Sequence, residues 1–178
     1  YQNMNKVIDR TIFQIPHDKN NEFDGIIYSI DTNRKTEIVT ITSSNIHNEQ
    51  NPENAIKYDD LENGFSSEGE NAFICFNFNK YKVIPKSYTI RSWNSVPGAS
   101  HPRGWVIEGS NDNYEFEILD EQRDCSLLNG KSLVCTFNIN NPQNKKYQYL
   151  RMRSIMPDWA DSNNLDINSI DFNGAIIC

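Results

Sequence analysis

Short stretches in which apolar and polar residues alternate recur along this 178-residue chain, and they limit its fold more than any other feature. Alternation with a period of two residues places successive side chains on opposite faces of a β-strand. The cleanest example has an apolar face made of Leu133, Cys135, Phe137 and Ile139. About nine such stretches follow one another at intervals of roughly 8–15 residues, and helical periodicity is almost absent. The pattern predicts an all-β sandwich or barrel rather than a fold with crossover helices.

The charge balance of the chain restricts its partners. The formal net charge is −7 at pH 7. No run of residues approaches the roughly 20 apolar residues that a membrane-spanning helix needs. Nucleic acids and anionic membrane surfaces attract basic faces, which an acidic chain is less able to offer. We therefore predict a soluble protein that binds neither nucleic acid nor membrane.

Residues 1–21 are polar and mixed, and they lack the apolar core of a signal peptide. We predict that they form a lead-in or linker and that residues 22–178 form one domain. Because the chain starts at Tyr1 rather than at a methionine, we also predict that it is part of a larger protein.

The cysteine pattern bears on the redox setting. The four cysteines have no metal-binding spacing, and none of the asparagines begins an N-x-Ser/Thr glycosylation site. These features favour a reducing, cytoplasmic setting. A disulfide between Cys125 and Cys135 is the alternative.

The segment from Lys86 to Asp112 is the most informative part of the sequence. It contains two strand patterns joined by a long loop, and that loop has two prolines, two glycines, His101 and Arg103 between flanking tryptophans. Long loops carried by rigid strands are common binding sites. We expect two further polar loops, 45–60 and 156–164, to cluster with it at one end of the sandwich.

The residues of these loops that suit ligand or partner contact are His47, Trp93, Asn94, His101, Arg103, Trp159 and Asp161. Indole rings stack on sugars or fill a partner's pocket, and guanidinium groups make paired hydrogen bonds. The alternative is that Trp93, Trp105 and Trp159 pack within the core or the loops, as most tryptophans do. For His101, which precedes a proline, the alternative is a role in the loop's own architecture.

Several motifs of the chain resemble the discoidin, or coagulation factor V/VIII type C, family. The core of the likeness is SYTIRS at 87–92, the HP step at 101–102 and GWVIEGSND at 104–112. Further pieces follow the family's order: FDGIIYSI at 23–30, VTITSS at 39–44, NPENAI at 51–56, FICFNF at 73–78, SLLNG at 126–130, YQYLRMR at 147–153 and LDINSIDFNG at 165–174. The sequence is most similar to the intracellular type found in protist and BTB-containing proteins.

This resemblance implies a galactose-binding-like jelly roll, in which two antiparallel sheets of about eight to nine strands pack face to face. It also implies that ligands are bound by loops at one pole. Carbohydrate-binding relatives hold a structural Ca²⁺ with an early loop and a late acidic residue, for which Asp59, Asp60, Glu62 and Asp171 are candidates. Because Lys57–Tyr58 stands where the relatives have an aspartate–glycine step, we predict no metal and no cofactor.

Two other features of the sequence bear on its chemistry. Arg151 and Arg153 share one strand face near Arg91, and such a basic row either contacts an anion or is paired with acidic side chains. Neither a nucleophile–base arrangement nor a phosphate-binding loop is evident in the sequence, and none of the three histidines lies in a catalytic motif. We predict a protein that is not an enzyme.

Taken together, the sequence favours a non-catalytic module that mediates protein–protein interaction within a larger intracellular protein or assembly. The alternative is a lectin-like, carbohydrate-binding module. In that alternative a sugar would stack on Trp93 or Trp159 and hydrogen-bond to Asn94, His101 and Arg103.

Overall fold

A computed structural model describes residues 22–45 and 51–178, together with the backbone of Phe13–Ile15. The strands within these residues are β1 (Phe13–Ile15), β2 (Thr40–Ser43), β3 (Phe65–Glu68), β4 (Phe73–Asn77), β5 (Lys82–Arg91), β6 (Trp105–Ser110), β7 (Glu117–Gln122), β8 (Val134–Asn138), β9 (Tyr149–Ser154), β10 (Asn164–Ile167) and β11 (Ser169–Ile177). Helical structure in this part of the chain consists of one α-helical turn, α1 (Lys35–Ile38), and 3-10 turns at Thr32–Arg34 and Pro52–Ile56. No helix among the described residues is long and apolar enough to span a bilayer.

Two antiparallel sheets face each other across the core. One has the strand order β1-β11-β5-β8, the other has the order β2-β4-β9-β6-β7, and β10 pairs with β3 in a small third sheet. Phe76 of β4 meets Phe172 of β11 edge to face at 5.3 Å between ring centroids. Trp105 of β6 meets Phe137 of β8 at 5.4 Å, and its indole donates to the Tyr88 hydroxyl at 2.9 Å. These contacts join the two sheets and confirm the predicted all-β jelly-roll sandwich.

Three long connections leave the sandwich at one end, which we call the loop pole. Trp105, the first residue of β6, pairs with Ser154 and Gln122, the last residues of β9 and β7. In the facing sheet Arg91, the last residue of β5, pairs with Val134, the first residue of β8. The connections that meet there are 92–104, 123–133 and 155–163.

Local turn chemistry was predictable at one site and misleading at another. The run NPENAI at 51–56 predicts one helical turn with Asn51 as the cap and Pro52 in the first position, and the structure confirms this: the Asn51 side chain accepts from the Glu53 amide at 3.1 Å. The apolar stretch 24–30 suggests a strand, which is wrong: it folds as a series of turns. Two of its amides, those of Ile27 and Tyr28, are bonded by Asp171, far away in the sequence.

The C-terminal segment carries two strands instead of the single bulged strand that its apolar pattern suggests. Asn168 separates β10 from β11. The Asn168 side-chain amide donates to the carbonyls of Asp60 and Asn63 at 2.8 and 3.0 Å. The bulge itself lies later, between Asn173 and Gly174, where the pairing of β11 with β5 shifts register. Asn168 thus lets the chain pass from the small sheet into the main one.

The predicted lead-in, residues 1–21, lies largely outside the described residues. Within it Phe13–Ile15 pairs with β11, opposite Gly174 to Ile176. The division into a lead-in and a domain at 22–178 stays a prediction.

A buried carboxylate fixes the early turns to the last strand. Asp171 accepts hydrogen bonds from the amides of Ile27 at 2.9 Å, Tyr28 at 3.0 Å and Phe172 at 2.7 Å. Burial raises the pKa of Asp171 to about 7, although these three donors and the Lys35 ammonium act to lower it. Asp171 therefore stabilises the turns at 25–28 by direct hydrogen bonding.

We expect this carboxyl group to make the protein less stable as the pH rises. Its pKa is higher in the folded state than the roughly 3.9 of an unfolded aspartate, so its contribution is greatest below about pH 4 and is lost towards pH 7. The free energy of unfolding, measured with urea, should drop by roughly 2–3 kcal/mol more between pH 5 and pH 8 in the wild type than in Asp171→Asn. Equal pH dependence in the two proteins would contradict this assignment.

Candidate functional site

An arginine stacked on a tryptophan stands at the loop pole. The Arg103 guanidinium lies 4.7 Å from the centroid of the Trp159 ring. The Trp159 indole donates to the Cys125 carbonyl at 3.0 Å, and its backbone amide donates to the His101 carbonyl at 3.1 Å. These bonds fix the indole in a half-buried position and bring the loops 93–103 and 156–164 together.

Two carboxylates flank this stack. Asp124 accepts from the Arg103 Nε at 2.8 Å and pairs with its Nη2 at 2.7 Å. The Asp161 Oδ1 lies 4.0 Å from the Arg103 Nη1, and its side chain is 90% exposed. Both aspartates have positive φ, 47° and 57°, which aspartate tolerates in turns. We call Arg103, Asp124, Trp159 and Asp161 the Arg103 cluster.

The chemistry of the Arg103 cluster suits a polyhydroxylated ligand. The Arg103 side chain retains 31% exposure, so that donors remain open to solvent beside two carboxylate acceptors. Neighbouring sugar hydroxyls both donate and accept, and they match such a mixture of groups. The half-buried Trp159 indole beside these groups offers apolar surface to the ring of a sugar.

His101 supports the loop from within. Its side chain has 0% exposure, and its Nε2 lies 3.0 Å from the Ser95 carbonyl and 2.9 Å from the Val96 carbonyl. Both neighbours are acceptors, so that Nε2 must carry a proton. In this conformation His101 presents no atom to the surface, and it holds the 95–101 turn in shape.

Asp158 does the same for the loop that carries Trp159. It is buried, and its Oδ1 accepts from the amides of Ala160 at 2.9 Å and Ser162 at 3.0 Å. Burial raises the pKa of Asp158 above its ordinary value. The loop is thereby fixed around the residue that stacks on Arg103.

Trp93 and Asn94 are not part of the Arg103 cluster. Trp93 is half-buried and packs over Gly64, where an added Cβ would lie 2.5 Å from its ring. Asn94 is also half-buried, and His47 falls outside the described residues. The Arg103 cluster therefore contains three of the seven predicted residues, and a contact role for the other four stays a prediction.

Sequence reasoning missed Asp124. Asp124 lies two residues after β7, and only the pairing of β7 with β6 brings it to the pole where β6 begins. An aspartate just after a strand in the run RDCS is a turn signal, but it does not indicate which end of the sandwich that turn occupies.

The predicted basic row is paired internally. Arg151 donates to the buried Glu108 at 2.8 Å, and Arg153 bonds to the other carboxylate oxygen of the same residue. Arg91 lies in the facing sheet, where it donates to the Tyr58 carbonyl at 2.8 and 3.0 Å. These arginines are structural, as the pairing alternative predicts, and Arg91 is not a neighbour of the other two.

Within residues 22–45 and 51–178, no group of three or more histidine, cysteine, aspartate or glutamate side chains is placed to hold a metal ion. Cys125 and Cys135 are free thiols in this structure.

The comparisons with known proteins show the fold. No protein-family model matches the sequence, and no curated protein matches it. Among solved structures, the family 32 carbohydrate-binding module (CBM32) of AlyQ in complex with 4,5-unsaturated mannuronic acid has a TM-score of 0.58 at 19% identity, and the match covers 78% of this chain and 94% of that one. The family 32 module of Clostridium perfringens NanJ in complex with galactose also has a TM-score of 0.58, at 12% identity, with 79% and 94% covered.

A third such structure is the module CBM32-3 from a family 31 glycoside hydrolase of Clostridium perfringens. It has a TM-score of 0.60 at 15% identity, and the match covers 78% of this chain and 96% of the module. The fold is therefore that of the galactose-binding-like β-sandwiches, which discoidin domains share with these modules.

These neighbours overturn the first functional prediction. The sequence favours protein–protein interaction, whereas the similar structures are carbohydrate-binding modules, two of them in complex with sugars. The protein-interaction prediction is wrong on this evidence.

Proposed function

We propose that this chain is a non-catalytic carbohydrate-binding module that holds a sugar at the loop pole, on the Arg103 cluster. One observation carries the proposal: a fixed, partly exposed Arg103–Trp159 stack lies between two carboxylates, at the loop end of a fold shared with carbohydrate-binding modules. Its rigidity matters because a preorganised site loses little conformational entropy when a ligand binds.

In the proposed mode, the pyranose ring lies against the exposed part of Trp159. Arg103 donates to a ring hydroxyl. Asp161, whose side chain is 90% exposed, accepts from a neighbouring hydroxyl. Asp124 holds the guanidinium in place with short bonds and so sets the direction of the remaining donors. Buried His101 and Asp158 keep the two loops in register below the sugar.

Isothermal titration calorimetry with galactose and with a mannuronate oligosaccharide measures whether the protein binds sugar. We expect Arg103→Ala to weaken binding of the sugar by about tenfold or more, because a charged donor is lost from the site. Arg123→Ala is the matched control. The Arg123 side chain is 59% exposed and pairs with Glu121, and its loss should leave the affinity for the sugar unchanged. The proposal fails if neither sugar binds, or if both variants bind as the wild type does.

Two finer statements belong to the same proposal. The ordered motifs from residue 23 to the C-terminus support a discoidin-type domain of the intracellular subfamily. The free thiols of Cys125 and Cys135 are compatible with the reducing, cytoplasmic setting that the sequence predicts.

A further inference from the structure

A concave surface lies on the flank of the sandwich. It is a groove of about 590 Å³, and none of its lining residues belongs to the Arg103 cluster. The residues that matter for its chemistry are Tyr28, Lys35, Lys57, Tyr58 and Asp59. We call it the Tyr28 groove.

The aromatic wall of the groove is held rigidly. Tyr28 is 46% exposed, although its backbone amide is bonded to the buried Asp171 at 3.0 Å. Its ring leans on Tyr58 at 5.8 Å between centroids, and Tyr58 in turn stacks on Phe23 at 4.7 Å. The Tyr58 hydroxyl donates to the Ile170 carbonyl at 3.1 Å, which ties this aromatic column to β11. A large aromatic side chain that is exposed yet fixed binds a ring-shaped ligand at low entropic cost.

Two ammonium groups line the same groove. The Lys35 Nζ lies 5.9 Å from the centroid of the Tyr58 ring, and the Lys57 Nζ donates to the Asn54 side chain at 3.0 Å. A lysine ammonium has three donor positions, so that the one bond recorded for Lys57 leaves donors for a ligand.

Two acidic residues, Asp59 and Asp60, line the groove together with the two lysines. Asp60 already accepts from the Glu62 amide, the Asn63 amide and the Asn63 side chain at 2.8–3.0 Å. These bonds lower the pKa of Asp60, so that Asp60 stays ionised, and they occupy its oxygens as acceptors within its own turn. Asp59 is exposed at the rim. The groove thus combines one aromatic platform with two lysine donors.

We propose that the Tyr28 groove is a second carbohydrate site and that it takes a sugar bearing a carboxylate, such as a uronic acid. The pyranose ring lies on Tyr28, and the carboxylate lies between the ammonium groups of Lys35 and Lys57. The inference rests on the proposed function only in taking a carbohydrate as the ligand, because its residues are separate from the Arg103 cluster.

Titration calorimetry in an Arg103→Ala background tests the groove apart from the pole. The probes are galacturonic acid, galactose, which has the same ring without the carboxylate, and acetate, which has the carboxylate without the ring. We expect galacturonic acid to bind at least about fivefold more tightly than either of the others, with an affinity that falls as salt is added. Equal affinity for galacturonic acid and galactose, or for galacturonic acid and acetate, overturns the proposal.

Variants then locate the binding. Lys57→Gln should weaken galacturonic acid at least about fivefold, and Tyr28→Ala should do the same, whereas Lys146→Gln should have no effect. Lys57 and Lys146 are both exposed, and Lys146 lies in the connection 139–148 at the opposite end of the sandwich, so it is a matched control. Because the Lys57 side chain is at the surface, its replacement leaves the core intact.

The outcomes separate this proposal from the proposed function. In one outcome, Arg103→Ala abolishes the binding of galactose and Lys57→Gln leaves the binding of galacturonic acid unchanged. That result overturns the proposed groove site and supports the site at the loop pole. In the opposite outcome, Lys57→Gln weakens the binding of galacturonic acid and Arg103→Ala changes the binding of no sugar. That result supports the groove site and overturns the site at the loop pole. Silence with all three probes overturns the groove.

Discussion

Replacing Glu108 with alanine is expected to lower the free energy of unfolding by about 3–5 kcal/mol, because it leaves two arginines without their shared counter-charge. The Glu108 side chain is only 3% exposed and bonds both Arg151 and Arg153. Arg151 is further confined by the ring of Phe116, 3.6 Å from the guanidinium carbon. The Arg151 and Arg153 side chains are only 20% and 25% exposed, so that without Glu108 much of their charge stays desolvated and without a counter-charge.

Urea unfolding of Glu108→Ala and of Glu121→Ala measures this effect against a surface pair. Glu121 pairs with Arg123 at 3.3 Å, and both side chains are largely in solvent. The loss of such a pair costs less than about 1 kcal/mol. Similar losses of stability in the two variants would show that Glu108 is not an essential partner of the two arginines.

The second large effect is expected at Gly174, where Gly174→Ala should cost about 3 kcal/mol or more. Gly174 has a φ of +147°, and an added Cβ would lie 2.1 Å from the carbonyl oxygen of Ile84. That oxygen belongs to the backbone of β5, which pairs with β11 along its whole length. The strain cannot be relieved by turning a side chain, and the ladder itself has to shift.

Gly69→Ala is the control for backbone strain alone. Gly69 also has a positive φ, +105°, but no heavy atom of the described residues lies within 4 Å of an added Cβ. We expect a loss of about 1–2 kcal/mol at this position. Thermal or urea unfolding that gives equal losses for the two variants would contradict the close approach of β5 to Gly174.

The sandwich could be predicted because its strands carry their own signal. The alternation at 133–139 matches β8, and WVIEGS matches β6. Residues 24–30 show the limit of this reasoning. Their apolar content suggests a strand, yet the amides of Ile27 and Tyr28 are satisfied by Asp171, 143 or more positions away. No local pattern contains such a long-range hydrogen bond.

The candidate site was predictable only in part for a related reason. Residue type alone selects Arg103 and Trp159 as suitable for sugar contact, and the structure brings them together. Residue type also selects His101, whose ring instead binds two carbonyls of its own loop. The Glu108 pairing of Arg151 depends on strand register, which the sequence does not specify.

Nuclear magnetic resonance of the indole N–H groups tests the central claim most directly. The chain has three tryptophans and hence three such resonances. Addition of galactose or a mannuronate oligosaccharide should shift the resonance of Trp159, because its indole is part of the Arg103 cluster. The Trp105 resonance should stay in place, because that indole donates to Tyr88 inside the core. A Trp159 resonance that does not move at saturating sugar would contradict carbohydrate binding at the loop pole.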